Sequence, residues 1–259
     1  MNIDESTREF GSGIAGRGRL IQFCVMCNRF QGMRPPGVMA GASYSPWSFE
    51  MKVHEGAEAI VSKGEWLGKS AMMKLRKPKG YRHPDLDARL TKSRMAVEAR
   101  ALSLLQKRNF PSPSLLHVDQ QESMIIISEI EGSPLFEEMV NGKMEQGTLS
   151  RVGETIRRMH ENGVSHGDLT THNIMVDDDG VVFLIDFGLA KISPELESLG
   201  QDLQVLNECL TASHSDYPGA MEEVVGGYSS SSRSVLDVPE SSEVTRRFDE
   251  IRNRVRYLG

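Results

Sequence analysis

Two carboxylates and one amide lie at fixed spacing within a short stretch of the chain. Asp168 is followed five residues later by Asn173, and Asp186 comes thirteen residues after that. Between Asn173 and Asp186, two apolar runs flank the turn-forming sequence Asp-Asp-Asp-Gly at 177–180. This pattern predicts a β-hairpin, which would make Asn173 and Asp186 neighbours. Their oxygens are of the kind that Mg²⁺ prefers, and a further carboxylate such as Asp168 could orient or deprotonate the attacking oxygen in phosphoryl transfer.

The same residues resemble the active-site motifs of protein kinases. His166, Asp168 and Asn173 fit the pattern H-x-D-x-x-x-x-N, and D-F-G follows at 186–188. Each triplet alone is more simply interpreted as a turn or a solvated loop, whereas both in order, with a hairpin between them, are specific. The resemblance implies that Asp168 is the general base or water-orienting acid and that Asn173 and Asp186 hold magnesium.

The overall composition is that of an ordinary globular protein. The chain has 259 residues, 39% hydrophobic and 25% charged, which is enough for one large domain or two small lobes. A net charge of −6 argues against attraction of the whole molecule to nucleic acid, so any basic surface must be local. Cys24, Cys27 and Cys209 are too few for a disulfide framework, and the C-x-x-C pair is interpreted as incidental. Because no apolar run reaches membrane-spanning length, we expect a cytoplasmic and nuclear protein.

The composition changes near residue 46. The first 46 residues are rich in Gly, Arg, Ser and Pro and show little periodicity, which predicts a disordered or loosely attached extension. Beyond it we expect an α+β fold, a minimal two-lobed protein-kinase-like domain over 47–259. Its β-rich N-lobe with one long helix would span 47–128, its hinge 129–133 and its reduced helical C-lobe 134–259.

Three strands are predicted at the start of the N-lobe. Residues 49–67 alternate enough for two strands around a bend at Gly56, and 69–75 form a third strand that carries a lysine. The glycine-rich loop of kinases is reduced here to Gly56, with Ala59 where another glycine is expected, so its place over the phosphates is inferred from position. The ATP-binding residues expected in these strands are Gly56, Ala57, Glu58, Ala59, Val61 and Lys74.

A helix predicted over 90–106 carries one carboxylate on its apolar face. Glu98 shares this face with Leu102 and Leu105, at spacings of four and seven residues. A carboxylate buried there needs a cation to offset its desolvation, and Lys74 is the expected partner. This ion pair would direct Lys74 onto the α- and β-phosphates of ATP.

A hinge and a core helix come next. Two strands are predicted over 115–128, and after them the backbone of Glu129 and Ile130 is expected to meet adenine. Apolar spacing over 149–159 predicts a helix that ends before Gly163.

The last third of the chain predicts two helices and a loop. A helix over 199–210 bears Asp202, which in a kinase large lobe braces the backbone of the catalytic loop. Residues 228–234 are interpreted as an exposed Ser-rich loop. A final amphipathic helix over 244–255 has Ser242 as its predicted N-cap.

A basic stretch connects the third strand to the long helix. It holds eight Lys or Arg residues from Lys74 to Arg94, against Asp85 and Asp87. Two interpretations remain open: a solvated loop and helix face, or a basic patch for RNA phosphates or an acidic partner.

Several parts of a regulated protein kinase are absent. Gly167 stands where regulated kinases place the arginine that grips a phosphorylated activation loop, and Thr170 stands where a lysine is usual. Ser193–Glu195 resembles the end of an activation segment, but only four residues separate it from Gly188. We therefore expect phosphoryl chemistry without a docking platform for peptide substrates.

Several segments together resemble the PRPK family, the small atypical kinases of the KEOPS (EKC) complex. The resemblance covers about residues 50 to 258 and is carried by Gly56–Ala59, Pro78–Pro84, Glu98–Leu102, Glu129–Ser133, His166–Asn173 and Leu184–Leu189. It implies an ATP- and Mg²⁺-dependent kinase or ATPase that supports threonylcarbamoyladenosine formation in tRNAs decoding codons that begin with A.

The resemblance also implies partners and a role for the basic tail. The C-lobe would bind the carbamoyl-transferring subunit and the N-lobe a small partner, with tRNA contacts through 74–94 and the C-terminal Arg252, Arg254 and Arg256. The tail is shortened here to these three arginines, followed by Tyr257, Leu258 and Gly259. The alternatives are a free-standing serine/threonine protein kinase and a binding module with a structural nucleotide pocket. The intact set of Lys74, Asp168, Asn173 and Asp186 argues against the latter.

Overall fold

The computed structural model describes residues 46–56, 59–230 and 238–258, all within one compact unit from Pro46 to Gly259. The predicted extension with Cys24 and Cys27 lies outside the described residues, and so do Ala57 and Glu58. Within the described ranges, no helix is both long enough and apolar enough to cross a membrane.

An antiparallel sheet forms the first half of this unit, and its strands lie in the order β1-β2-β3-β5-β4. The sequence predicted all five strands correctly. The long helix α1 connects β3 to β4 in the chain. Their bounds are β1 Trp47–Glu55, β2 Ala59–Trp66, β3 Lys69–Arg76, α1 Pro84–Lys107, β4 Leu115–Asp119 and β5 Met124–Ser128.

Helix α1 begins six residues earlier than predicted. Pro84 lies at its start, and Asp85 and Asp87 lie in its first turn, where proline and acidic residues favour a helix N-terminus. The apolar spacing used for the prediction starts only deeper in the helix, so it missed the solvent-facing first turns.

Helices dominate the second half of the unit. A three-stranded sheet in the order β6-β8-β9 and the strand pair β7–β10 lie among them. The strands are β6 Ser133–Pro134, β7 Val164–Ser165, β8 Ile174–Val176, β9 Val182–Leu184 and β10 Lys191–Ile192. The helices are α2 Leu135–Val140, α3 Thr148–Glu161, α4 Leu196–Ser213, α5 Ala220–Ser230 and α6 Ser241–Leu258.

Two apolar clusters hold these elements together. The larger one packs α3, α4, α5 and the β8–β9 strands, and it also includes Ala101, Leu102 and Leu105 of α1. The smaller one lies on the sheet, around Trp66 and Ile126. Because α1 contributes to the larger core, the helix that carries Glu98 is anchored against the C-lobe as well as the sheet.

Two local predictions in the C-lobe are wrong. Tyr228 is not in an exposed loop but in the last turns of α5, fully buried, with its hydroxyl 2.8 Å from His160 Nδ1. The serines after it suggested a loop, whereas the ring packs inward; residues 231–234 lie outside the described ranges. Ser242 lies inside α6, which begins at Ser241, and the carboxylate of Glu243 accepts a hydrogen bond from Glu240 N instead.

Candidate active site

The predicted hairpin is present and brings Asn173 and Asp186 to one end of it. Strands β8 and β9 pair antiparallel, with Ile174 opposite Leu184. Beyond this pair, Ile185 N donates to Asn173 O at 3.0 Å. At the opposite end, Asp177 closes the turn by accepting backbone hydrogen bonds through Oδ1.

The loop before β8 holds Asp168 beside Asn173. Asn173 Nδ2 donates to Asp168 O at 2.8 Å and lies 3.3 Å from Asp168 Oδ2. His166 Nε2 donates to Ile185 O at 2.9 Å, which ties this loop to the end of β9. The loop and the residues after β9 are therefore fixed to each other by backbone and side-chain hydrogen bonds.

Asp202 of α4 braces this loop, as the sequence predicted. It accepts hydrogen bonds from His166 N at 2.6 Å and from Gly167 N at 2.8 Å. His160 Nε2 lies 3.2 Å from the same carboxylate. A carboxylate that receives several hydrogen bonds is a strong anchor in a buried site, so Asp202 holds the two residues just before Asp168 in place.

Lys74 of strand β3 contacts two carboxylates, one on helix α1 and one after strand β9. Its Nζ lies 3.1 Å from Glu98 Oε1 on α1 and 2.5 Å from Asp186 Oδ1. The predicted Lys74–Glu98 ion pair is therefore present. Burial raises the pKa of Asp186, but the charge and hydrogen bond of Lys74 outweigh it, so the pKa is lowered from its ordinary value. Asp186 is thus held as a carboxylate at neutral pH.

A cleft of about 320 Å³ lies where these groups meet. It brings together six of the predicted site residues, namely Gly56, Ala59, Val61, Lys74, Asp168 and Asp186. Glu98 and Asn173 lie behind residues that line the cleft: Glu98 contacts Lys74, and Asn173 contacts Asp168. The predicted Ala57 and Glu58 are not described.

Glu129 and Ile130 line a separate hollow of about 380 Å³ beside the 177–179 turn. The Glu129 side chain is engaged by Ser70 Oγ and, at 2.9 Å, by Lys63 Nζ. The hydrogen bond from Ser70 lowers the pKa of Glu129, and Lys63 adds to this effect against the opposing effect of burial. The side chain therefore ties the hinge to the sheet, and the adenine contact of the backbone stays a prediction.

Five further residues line the cleft that were not among the predicted site residues: His54, Arg76, Arg94, Gly188 and Leu189. Arg76 is the most informative of them, because its Nη2 donates to Glu98 Oε2 at 2.7 Å. Side chains alternate along a strand, so Arg76 shares a face with Lys74, and this spacing could have revealed it.

The basic stretch is only partly a surface. Arg76 is 8% exposed and therefore belongs to the interior rather than to a patch for partners. Lys77 pairs with Glu55, and Arg82 lies 3.5 Å from Asp87. Tyr81, by contrast, is 79% exposed, and both Lys79 and Arg82 lie over its ring.

The donor set fits magnesium. Asn173 donates through its amide nitrogen, so the amide oxygen remains available as a ligand beside the Asp186 carboxylate. Sites for Mg²⁺ with nucleotides use one or two carboxylates and complete the shell with phosphate and water. The described residues accordingly contain no cluster of three or more His, Cys, Asp or Glu side chains suited to a metal held by protein alone.

Comparisons with known proteins show the family and the fold. Residues 65–216 match the lipopolysaccharide kinase (Kdo/WaaP) family. The chain is 34% identical over 215 residues to the mouse EKC/KEOPS complex subunit Tp53rkb, covering 79% of this chain and 86% of that protein. It is 35% identical over 204 residues to a probable bifunctional tRNA threonylcarbamoyladenosine biosynthesis protein of Methanothermobacter thermautotrophicus.

The match to that archaeal protein covers 78% of this chain and 36% of the relative, so the chain spans about a third of the bifunctional proteins. Among solved structures, Rio2 kinase from Chaetomium thermophilum, in an ADP/Mg²⁺-phosphoaspartate complex, superposes with a TM-score of 0.52 and 14% identity. This superposition covers 81% of this chain and 72% of Rio2 and confirms the protein-kinase-like fold.

Proposed function

The chain belongs to the PRPK family of EKC/KEOPS subunits and to the lipopolysaccharide kinase (Kdo/WaaP) family, and on that premise we propose that it is the ATP-hydrolysing subunit of an EKC/KEOPS assembly. Its turnover supports threonylcarbamoyladenosine formation in tRNAs decoding codons that begin with A. The observation that carries the proposal is the convergence of Lys74, Asp168 and Asp186 on one cleft.

Each polar side chain of the cleft has a role in this proposal. Lys74 binds the phosphates and is aimed at them by Glu98. Asp168 accepts a hydrogen bond from the attacking water and orients its oxygen toward the γ-phosphorus, from which the bond to ADP breaks. Asn173 and Asp186 hold Mg²⁺, which neutralises phosphate charge when bound.

Water is favoured over a protein hydroxyl as the acceptor because the segment after Asp186 is short. The strand β10 at 191–192 pairs with β7, and α4 begins at Leu196. Few residues remain between these elements to form a platform for a peptide. A serine/threonine kinase uses the same groups, so the fate of the γ-phosphate distinguishes the two functions.

Two exposed features support the proposed partners. Phe49, Met51 and Val53 alternate along the edge strand β1 and are each about half exposed, which suits the small partner of the N-lobe. Tyr81, with Lys79 and Arg82 over its ring, offers a contact for tRNA, and the carbamoyl-transferring subunit is assigned to the C-lobe. For a protein that acts on tRNA, we expect a location in the cytoplasm and nucleus.

The test is phosphate release by the assembled complex with ATP, Mg²⁺ and tRNA. Asp168→Ala is expected to slow release at least about a hundredfold, as removal of a positioning group in an active site commonly does. Asp216→Ala, which removes an exposed carboxylate in the loop after α4, is the matched control. Unchanged release by the Asp168 variant would refute the assignment, and label transferred to an added protein would establish the protein-kinase alternative.

A further inference from the structure

Glu98 is held by two cations, one on each carboxylate oxygen. Lys74 Nζ lies 3.1 Å from Oε1, and Arg76 Nη2 donates to Oε2 at 2.7 Å. The carboxylate is almost fully buried, with 1% of the residue exposed. Kinase mechanism requires only the lysine–glutamate pair, so the arginine is an addition that needs its own explanation.

Stability alone does not explain this arginine. Its guanidinium is buried, and within the described part of the chain Nε has no hydrogen-bond partner. Burying a charged pair in this way is often no better for stability than apolar packing of the same volume. An interaction of this kind at the wall of a cleft points to a role in function.

The charges around Lys74 show what the second cation does. Glu98 and Asp186 both contact Lys74, so two carboxylates would compete for one ammonium group. Arg76 occupies Oε2 of Glu98 and offsets one of these charges. The ammonium group of Lys74 is then held less tightly by Glu98 and can contact phosphate oxygens.

The same contact fixes helix α1 to strand β3. In regulated kinases, phosphorylation of the activation loop controls the position of the equivalent helix. Here Gly167 replaces the arginine of that switch, and the segment after Asp186 is short. A permanent bond within the N-lobe can replace the missing switch.

We propose that Arg76 is a positioning residue that holds Glu98 and α1 in the competent arrangement and leaves Lys74 available for phosphates. This inference rests on the proposed function, since it assumes that Lys74 binds ATP. It goes beyond that function by giving the Arg76–Glu98 contact the role that a phosphorylated activation loop has in regulated kinases.

The test is a double-mutant cycle between Arg76→Gln and Glu98→Gln, read out as the Kd for Mg²⁺-ATP and as the KM and kcat of phosphate release by the assembled complex. Arg76→Gln is expected to raise the Kd and KM about tenfold, with a smaller fall in kcat. In the Glu98→Gln background the same change should have almost no further effect, because the residue it acts through is gone. Arg76→Lys, which keeps the charge, should recover part of the affinity.

Arg100→Gln, which changes an exposed arginine of α1 outside the 74–94 basic stretch, is the matched control. Equal effects of Arg76→Gln in both backgrounds, or an unchanged Kd and KM, would overturn the inference. If Arg76→Gln fails to fold, the cycle is completed with Arg76→Lys, and additivity there has the same consequence. If the Kd for Mg²⁺-ATP follows the expected cycle but the complex releases no phosphate, the role of Arg76 is supported and the proposed hydrolysis is refuted.

Discussion

At Gly167, next to Asp168, there is no space for a side chain. Its φ of +79° lies in the left-handed region, and a Cβ there would lie 2.3 Å from Leu189 O. The segment after Asp186 therefore packs directly onto the catalytic loop. The sequence predicted that the arginine switch is missing, and the structure adds that this close packing leaves no room for it.

We predict that Gly167→Ala lowers ATP turnover at least about tenfold, since a shift of the loop that carries Asp168 disturbs a positioned group. Gly163→Ala is a matched control, because Gly163 has a similar φ of +71° but open space around its Cβ. Both variants should lose about 1–2 kcal/mol of unfolding free energy from backbone strain. Turnover assays and urea unfolding check the pair; equal turnover in the two variants would contradict the packing explanation.

His214, which contacts the loop that carries Asp168, is expected to make stability depend on pH. Its Nε2 lies 3.0 Å from Thr171 Oγ1, and burial, aided by the charge of His172, lowers its pKa below the ordinary 6.5. The unfolded chain therefore binds the proton more readily than the folded one. The contribution of His214 to stability is therefore expected to be complete above pH 6.5 and to fall as the pH drops from there toward the lowered pKa.

We predict that His214→Gln weakens this dependence while keeping a donor for Thr171. The fall in unfolding free energy between pH 7 and about pH 5 should be smaller in the variant than in the wild type, as measured by denaturant titration at each pH. His117, whose pKa is also lowered by burial, contributes the same sign to both proteins and cancels in the comparison. Identical pH profiles would show that His214 is not a source of the effect.

At the scale of elements, periodicity and turn chemistry predicted what depends on local sequence. The β8–β9 hairpin and the Lys74–Glu98 pair followed from a turn signal and from a carboxylate on an apolar face. The burial of Tyr228 did not, because it depends on His160 of a distant helix. Arg76 was missed because a basic run suggests a surface, and its partner lies on another element.

The loop between β3 and α1 carries the exposed ring of Tyr81, with Lys79 and Arg82 over it. We predict that Lys79→Glu combined with Tyr81→Ala weakens tRNA binding and makes it less dependent on salt, because a phosphate contact and a stacking surface are removed. Lys143→Glu, on an exposed position of the C-lobe, is the matched charge change. Affinities measured across salt concentrations check this; equal losses in both variants would reduce the effect to overall charge.

At the scale of the whole unit, α1 connects the larger apolar cluster to the cleft. Its residues Ala101, Leu102 and Leu105 pack into the larger core, while Glu98 contacts Lys74 of the sheet. The sequence predicted that Glu98, Leu102 and Leu105 share a face and that Glu98 pairs with Lys74. It did not predict that one helix would couple the C-lobe core to the cleft, because that depends on packing between segments distant in sequence.

Ligand binding at this junction should therefore stabilise the whole unit. Mg²⁺-ATP at about a hundred times its Kd adds about 2.7 kcal/mol of unfolding free energy, which for a unit of about 200 residues corresponds to a rise in Tm of about 5–11 °C. Asp186→Asn should keep a smaller shift that no longer responds to Mg²⁺, because its carboxylate is the charged ligand of the proposed metal site. Thermal unfolding with ATP, in the presence and absence of EDTA, separates the stabilisation by ATP from the stabilisation by Mg²⁺. Asp216→Asn is the control. A shift in the Asp186 variant that matches the wild type and still disappears with EDTA would place the magnesium elsewhere in the molecule.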